Sequence, residues 1–249
     1  VNQHLFLSLA CENAGPLKDA LKKLPARHHN NQWLNFLRHH DELSLQLLDD
    51  GKKNKVFESF APQKKMRIYD RGIRRRLAPM LGGDRRQLEL CYSLLFSLPG
   101  VPLLRYGDEI GMGDDLSLDG RKSVHTPMQW SPSRNGGFSA AKENKLPLPV
   151  ISEGQYGFKE VNVLSAQRDA LSLLNWVEQL VSTRKQCPEI GTGELEIIDT
   201  NHPAMLAHAC HSPEGKIFFV HNLSADEISI SKKKLGLPEA SVFEIFSND

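Results

Sequence analysis

Two short apolar segments of the sequence run directly into charged and imidazole side chains. The first, Trp33 to Leu37, reads as a buried strand and is followed by His40, Asp41 and Glu42 in the stretch LRHHDE. Removing a carboxylate from water costs free energy. Carboxylates that follow a buried strand therefore lie either in a solvated loop or in a functional site. A donating imidazole beside an accepting carboxylate can bind the hydroxyl groups of a polyol. A solvated strand end with an incidental histidine pair is the alternative that spacing alone leaves open.

Metal binding is the weaker alternative for this stretch. His39 and His40 are adjacent, and adjacent residues of a strand face opposite sides. The four cysteines lie far apart and form no Cys-x-x-Cys pair, so the sequence predicts neither a zinc site nor a disulfide framework. We therefore expect no metal and no cofactor, and reduced cysteines in a cytoplasmic protein.

The overall charge and hydropathy exclude two classes of partner. Lysine and arginine number 31 against 30 acidic residues, so no global field favours nucleic acid or a charged membrane. No apolar run approaches the roughly 18 residues of a membrane span. We expect neither nucleic acid nor a membrane as a partner.

The segments that would position the polar groups alternate between strand and helix. The patterns predict strands at 33–37 and 102–106 and helices at 84–98 and 169–185. This order indicates an α/β fold with parallel strands and helical crossovers. The second strand also runs into charge, in RYGDE, and then into a long loop-rich insertion, residues 107–165. Carboxyl ends of parallel strands face one crevice, and an insertion there usually builds a site.

Two further segments support this organisation. Asp84, with Gln87 three positions later, is typical of a helix start. The stretch 57–80 is predicted to be irregular and contains the basic run Arg74 to Arg76. That run can be interpreted as a phosphate-binding patch, although a solvated helix face is the favoured interpretation.

After residue 193 the pattern changes to short β segments separated by turn residues. This pattern is typical of a small antiparallel sheet domain, with a boundary near residue 187. The predicted segments are 195–199, 205–210, 216–224, 227–231 and 241–249.

Several motifs occur together in an order that resembles a known family. They are FLRHHDEL, LFSLPGVPLLRYGDEIGMGD and VHTPMQWS, followed by SLLNWVEQLVSTRK. The chain resembles the α-amylase superfamily of retaining α-glucosidases and glucosyltransferases, and within it the trehalose synthases, which isomerise maltose. The resemblance implies the C-terminal half of a (β/α)8 TIM barrel over 1–186 and a C-terminal β-sandwich domain over 187–249. The implied ligand is a short oligosaccharide such as maltose or trehalose.

The resemblance also implies roles for individual residues. Asp41 matches the family's third catalytic carboxylate, which binds ring hydroxyls and helps distort the sugar toward the oxocarbenium-like transition state. His40 would hydrogen-bond the glucosyl hydroxyls, and Glu42 would contact the leaving or acceptor sugar. Gln129 would bind substrate from the loop that shapes the pocket, beside Trp130. His125 and Arg121 are the other residues expected to bind substrate.

The sequence departs from the family pattern at two of its motif positions. Position 39 is His where the family usually has Asn. Position 125 is His where the related Arg-Thr-Pro-Met-Gln-Trp motif has an Arg that pairs with an acid at the pocket floor. A histidine is shorter and only partly protonated near neutral pH, which weakens any inference about substrate length. Arg121 is the candidate to take the place of that arginine.

The family's nucleophile and general acid/base are not found in this sequence. Retaining glycosidases use two carboxylates about 5 Å apart, which in this family lie on earlier barrel strands. We therefore expect the chain to be part of a longer enzyme and to be inactive alone; calcium is an option only for that longer enzyme. Two alternatives stay open: a hydrolase of short α-glucosides, and a noncatalytic half-barrel that binds carbohydrate.

Overall fold

The computed structural model of the chain describes residues 1–25, 28, 31–213, 215–237 and 243–247. Its α-helices are α1 (Asn2–Ala10), α2 (Gly15–Lys22), α3 (Asp50–Phe60), α4 (Leu77–Met80), α5 (Arg85–Ser97), α6 (Val163–Arg168), α7 (Leu173–Gln186) and α8 (Pro188–Thr192). Its strands are β1 (Leu34–Phe36), β2 (Leu43–Ser44), β3 (Arg67–Ile68), β4 (Gly72–Ile73), β5 (Val101–Leu103), β6 (Glu194–Ile198), β7 (Met205–Ser212) and β8 (Gly215–Asn222). Short 3-10 turns lie at Lys64–Met66, Asp108–Ile110, Gly120–Val124, Arg134–Gly137 and Glu143–Lys145.

Strands β1 and β5 form the parallel pair that the alternating pattern predicted. Phe36 lies opposite Leu103, so the segments that follow the two strands leave the sheet at the same edge. The close approach depends on Gly100, which has φ +106° and at which a Cβ would lie 2.4 Å from the carbonyl oxygen of Trp33. The amide of Val101 donates to that same carbonyl at 2.7 Å. Only glycine fits this turn, and it allows the two strands to pair from their N-terminal ends, which fixes the register that places their polar C-terminal ends at one edge.

Helix α5 is the crossover between these two strands. The side chain of Asp84 accepts a hydrogen bond from the amide of Gln87 at 3.1 Å, so the predicted helix start is confirmed. One broad face of the helix is buried, as expected for a crossover that packs on both the sheet and neighbouring helices. The buried side chains are Leu88, Cys91, Tyr92, Leu94, Leu95, Phe96 and Ser97.

Helix α7 begins later than the predicted 169–185. The hydroxyl of Ser172 accepts from the amide of Asn175 at 3.2 Å and caps the helix. Asp169 lies outside the helix: its carboxylate accepts from the amide of Leu171 in the preceding turn, and its carbonyl accepts from the side-chain amide of Asn175 in the first turn of α7. Leu173, Val177 and Leu180 are buried as the periodicity predicted.

The predicted irregular stretch 57–80 is more ordered than its sequence indicates. It contains the end of α3, the hairpin of β3 and β4, and α4. Helix α3 was missed by the pattern, although Asp49 caps it by accepting from the amide of Lys52 at 2.9 Å. The hairpin pairs antiparallel with β2, which directly follows the acidic stretch.

The C-terminal region forms a three-stranded antiparallel sheet in the order β6, β7, β8. Three of the predicted segments are confirmed as these strands. The segment 227–231 is not a strand, nor are residues 243–247, and the rest of the predicted segment 241–249 lies outside the described residues. The second layer of a sandwich stays a prediction. None of the described helices is long and apolar enough to span a bilayer.

A buried pair of histidines joins this sheet to α5. The Nε2–H of His208 donates to the Ser97 carbonyl at 3.2 Å, and the Nε2 of His221 lies 3.0 Å from the Ser93 hydroxyl. The two imidazoles stack with centroids 5.8 Å apart. Burial lowers the pKa of His208 to about 4 and that of His221 to about 3, so both are neutral in the folded protein near pH 7.

Acidification is expected to loosen this contact before the carboxylates titrate. An unfolded chain protonates its histidines below their ordinary pKa, whereas the folded pair stays neutral to about pH 4. The free energy of unfolding should therefore fall by roughly 3 kcal/mol between pH 6.5 and pH 5. Urea unfolding at several pH values measures this.

A His208→Gln/His221→Gln variant should lose much of that pH dependence, since glutamine does not titrate. The matched control is His211→Gln, because His211 lies on the same strand as His208 but is only partly buried. A double variant with the wild-type dependence would contradict the role of the pair.

Candidate functional site

The acidic stretch after β1 is held by a buried arginine beneath it. Arg38 is only 2% exposed, and its Nε donates to the carbonyl of Arg75 at 2.8 Å. Its Nη2 donates to the carbonyl of Asp41 at 3.2 Å. Burial lowers the pKa of Arg38 to about 10, which leaves it cationic near neutral pH. The arginine therefore fixes the backbone on which the candidate catalytic carboxylate is carried.

Arg121 bridges the two neighbouring acids. Its Nη1 lies 2.8 Å from Oδ1 of Asp41, and its Nε donates to Oε2 of Glu42 at 2.7 Å. The guanidinium comes from the 3-10 turn Gly120–Val124, within the long insertion. The sequence marks all three residues as separate candidates, and the structure brings them into one contact. A direct contact of Arg121 with a sugar stays a prediction.

The environment keeps Glu42 ionised. Burial alone would raise the pKa of its carboxyl, but the hydrogen bond from Arg121 and the charges of Arg121 and Arg71 outweigh it. The pKa of Glu42 therefore lies below its ordinary value. A carboxylate with a lowered pKa is a poor general acid at neutral pH, so Glu42 fits hydrogen bonding to a ligand or to Arg121.

The hairpin of β3 and β4 closes one side of the acid pair. A Cβ at Gly72 would lie 2.6 Å from Cγ of Glu42, so glycine is needed for Glu42 to pack here. Arg71 places Nη2 3.7 Å from Oε1 of Glu42. The hairpin also carries Tyr69, whose ring centroid is 5.7 Å from the Arg121 guanidinium carbon. No pattern in the sequence marked Tyr69 or Arg71 as site residues.

The three histidines of the site take different roles. His40 is largely exposed, and its Nε2 lies 3.7 Å from Oδ2 of Asp41. The Nδ1 of His39 accepts a hydrogen bond from the amide of Asp41 at 2.9 Å. Burial, followed by the nearby charge of Arg38, lowers the pKa of His39. His39 therefore stabilises the loop as a neutral acceptor, and His40 is free to meet a ligand.

His125 binds backbone where the family motif places an acid-pairing arginine. Its Nε2 donates to the carbonyl oxygen of His40 at 2.6 Å. His125 thus lies at the site, as expected, but steadies the loop. The guanidinium that pairs with Asp41 and Glu42 in this structure is that of Arg121. A sugar contact by His125 stays a prediction.

Gln129 lies inside its own loop. The side chain is fully buried, and its Nε2 donates to the carbonyls of Tyr156, at 3.1 Å, and Val161. This position differs from the expected contact with substrate, because residues 156–161 cover the amide. Gln129 can shape a pocket only by holding the loop, while its neighbour Trp130 is 50% exposed.

The basic run Arg74 to Arg76 is neither a solvated helix face nor an open patch. Arg74 donates from Nε to the Ser123 hydroxyl at 3.3 Å. The Nε of Arg75 donates to Oδ2 of Asp114 at 3.2 Å. The favoured sequence interpretation was therefore wrong, because each side chain turns inward to the segment after β5.

Arg76 and Arg105 complete this buried network. Arg76 is fully buried, and its Nη1 donates to Oδ1 of Asp108 at 3.0 Å. Burial raises the pKa of Asp108 despite the arginines around it. Arg105 donates to the carbonyl of His39 at 3.2 Å. The guanidinium carbons of Arg76 and Arg105 lie 4.9 and 5.4 Å from the ring centroid of Tyr106. The network locks the end of β5 to the acidic loop.

The described part of the chain holds no cluster of three or more histidine, cysteine or acidic side chains arranged for a metal ion. Asp114, the one acid of the Asp114-Asp115 pair that is deeply buried, is paired with Arg75 and accepts from the amide of Arg76 at 2.9 Å. Through Asp41, Glu42 and Arg121, this surface offers charge and hydrogen-bonding groups.

The parallel strands, the acid pair at their carboxyl edge and the sequence motifs around them together indicate one family of enzymes. The chain matches the family described as "Alpha amylase, catalytic domain" over residues 69–193. It belongs to the α-amylase family.

Individual relatives narrow the comparison. The chain is 40% identical over 228 residues to a trehalose synthase of Pimelobacter sp., which covers 90% of this chain and 40% of that protein. It is 41% identical over 204 residues to the trehalose synthase/amylase TreS of Mycolicibacterium smegmatis, covering 82% of this chain and 34% of that protein. The chain thus spans about two fifths of these relatives or less.

Solved structures show the same fold. One is an inactive double mutant of MutB in complex with isomaltulose, with a TM-score of 0.59 and 18% identity, covering 86% of this chain and 39% of that one. At this identity the likeness concerns the fold alone.

Removing the bridge should destabilise the site. In Arg121→Gln, the buried carboxylate of Glu42 loses its principal partner, and we expect the free energy of unfolding at pH 7 to fall. The loss should shrink at lower pH, because protonation of Glu42 removes the unpaired charge. Urea unfolding measures both values.

Arg134→Gln, at an exposed position of the same insertion, is the control. Equal unfolding midpoints for wild type and Arg121→Gln at pH 7 would refute the bridge as a stabilising contact.

Proposed function

We propose that this chain is part of a retaining α-glucosyl enzyme that acts on maltose-type short α-glucosides and interconverts maltose and trehalose. The observation that carries the proposal is the 40% identity to a trehalose synthase over 90% of the chain. The site agrees with it, because the polyol-binding groups predicted at the strand end lie together. A small-molecule carbohydrate is accordingly the proposed ligand.

Asp41 would act on the sugar at the cleavage point. Its carboxylate accepts hydrogen bonds from ring hydroxyls and stabilises the positive charge that develops in an oxocarbenium-like transition state. Arg121 fixes the orientation of that carboxylate at 2.8 Å. The exposed imidazole of His40 adds a hydrogen-bonding group beside it. Fixed polar groups of this kind need no reorganisation during the reaction.

The bond-breaking pair would come from the longer enzyme. In the proposed reaction, a nucleophilic carboxylate outside this chain takes the glucosyl unit from maltose and releases glucose. The same glucose then attacks through another hydroxyl, which displaces the carboxylate and restores the α configuration. Attack by water instead gives hydrolysis. A pocket that closes around the released glucose and excludes water would favour isomerisation.

Hydrolysis of short α-glucosides is the second candidate. The M. smegmatis relative is named both a trehalose synthase and an amylase. The two outcomes share one glucosyl intermediate and differ in the acceptor alone.

The organisation into two domains belongs to the same proposal. We place residues 1–186 in the barrel and 187–249 in the C-terminal domain, with the sheet of β6 to β8 as one layer of its sandwich. A cytoplasmic location without cofactor is proposed as well. The four cysteines, which are all free, support a reducing compartment.

The enzyme that contains this chain is expected to convert maltose mainly into trehalose, with glucose as a minor product. Its full reading frame is expressed, the protein is incubated with maltose, and the sugars are separated by chromatography. Glucose alone would favour the hydrolase. A natural start codon at Val1, with maltose binding but no turnover, would favour the noncatalytic half-barrel.

An Asp41→Asn variant of that enzyme should lose at least about 100-fold in kcat on maltose, because the amide keeps the shape but not the charge. The control is Asp50→Asn, an exposed acid in the first turn of α3. Wild-type turnover by Asp41→Asn would refute the role of Asp41.

A further inference from the structure

The hairpin of β3 and β4 presents an exposed aromatic ring beside the acid pair. Tyr69 is 59% exposed, although its ring lies 5.7 Å from the guanidinium carbon of Arg121 and 5.8 Å from that of Arg71. Both arginines also reach Glu42. The ring therefore lies at the edge of the site in contact with charged groups that the site itself uses, while more than half of the surface of the residue stays open to solvent.

The backbone at this position is strained. Tyr69 and Asp70 both have positive φ, 55° and 51°, and the amide of Arg71 donates to the Ile68 carbonyl at 3.3 Å to close the turn. Asparagine or glycine would adopt such a turn more readily than tyrosine does. Non-glycine residues with positive φ persist where the surrounding structure holds the backbone in that conformation, and they concentrate at ligand sites.

The hairpin cannot easily move away from the acids. Strand β4 pairs with β2, with Ile73 opposite Leu43, the residue directly after Glu42. Because Gly72 has no side chain, the hairpin can lie directly against Glu42. The position of the Tyr69 ring relative to the carboxylates is thus fixed by backbone pairing, as a preorganised binding surface requires.

We propose that the ring of Tyr69 is a stacking platform for a pyranose whose hydroxyls bind to Asp41, Glu42 and Arg121. An aromatic face carries negative charge density and packs against the polarised C–H groups of a sugar ring. The carboxylates accept hydrogen bonds from the hydroxyls at the edge of the same ring, and the guanidinium donates to them. The inference rests on the proposed function, since it names a sugar contact of that site.

Substitutions within the turn test the platform in the full-length enzyme. Tyr69→Asn removes the ring but suits the left-handed backbone, so it should raise KM for maltose by about tenfold or more. Tyr69→Phe keeps the ring and should restore KM to within about threefold of wild type. Asp70→Asn makes the same replacement at the neighbouring position of the turn and is the matched control.

Urea midpoints verify that the variants fold, and saturation-transfer NMR with maltose reports the contact directly. Loss of transfer to maltose in Tyr69→Asn, with transfer retained in Tyr69→Phe and Asp70→Asn, supports the platform. Wild-type KM and wild-type transfer in Tyr69→Asn overturn it.

Failure of the proposed function can be recognised separately. A wild-type enzyme that turns over no α-glucoside refutes the proposed function, and the NMR comparison then decides the platform alone. A wild-type enzyme that turns over maltose with the same KM as Tyr69→Asn refutes only the platform.

Discussion

The site depends on one guanidinium shared by two adjacent carboxylates. Asp41 and Glu42 follow each other in the chain, and the Glu42 side chain is almost fully buried. Without Arg121 their charges would repel each other and would be poorly solvated. With it, both carboxylates are held in fixed orientations, and the pKa of Glu42 lies below its ordinary value. The contact joins the end of β1 to a turn 80 residues away, so the insertion after β5 and the acidic loop must form together.

The surrounding arginines extend the same principle. Arg38 binds backbone carbonyls below the acids, and Arg75 and Arg76 pair with Asp114 and Asp108. Buried ion pairs contribute little net stability, because desolvation offsets their attraction. Their effect is geometric: rigid planar donors fix several loops relative to one another. Several of these guanidinium nitrogens have no partner among the residues described, which leaves the network rich in donors.

Local patterns predicted the elements that depend on local physics. The parallel pair, the cap at Asp84 and three C-terminal strands follow from periodicity, capping and turn residues, and all are present. Helix α3 was missed because its few apolar residues give weak periodicity. The run Arg74 to Arg76 was misread, because charge in a sequence indicates solvent unless the buried partners are known. Those partners are more than 30 residues away.

The sequence by itself determined which chemistry the chain carries and where: carboxylates and imidazoles at the carboxyl end of β1, within motifs of the α-amylase family. Tertiary structure decided what each group does. In the folded chain Arg121 pairs with both acids, and His125 donates to a backbone carbonyl. Gln129 is buried, and Tyr69 lies exposed beside the acid pair. Residue types and strand ends follow from local sequence. Contacts between side chains far apart in the sequence depend on packing and desolvation across the whole molecule, which local patterns do not contain.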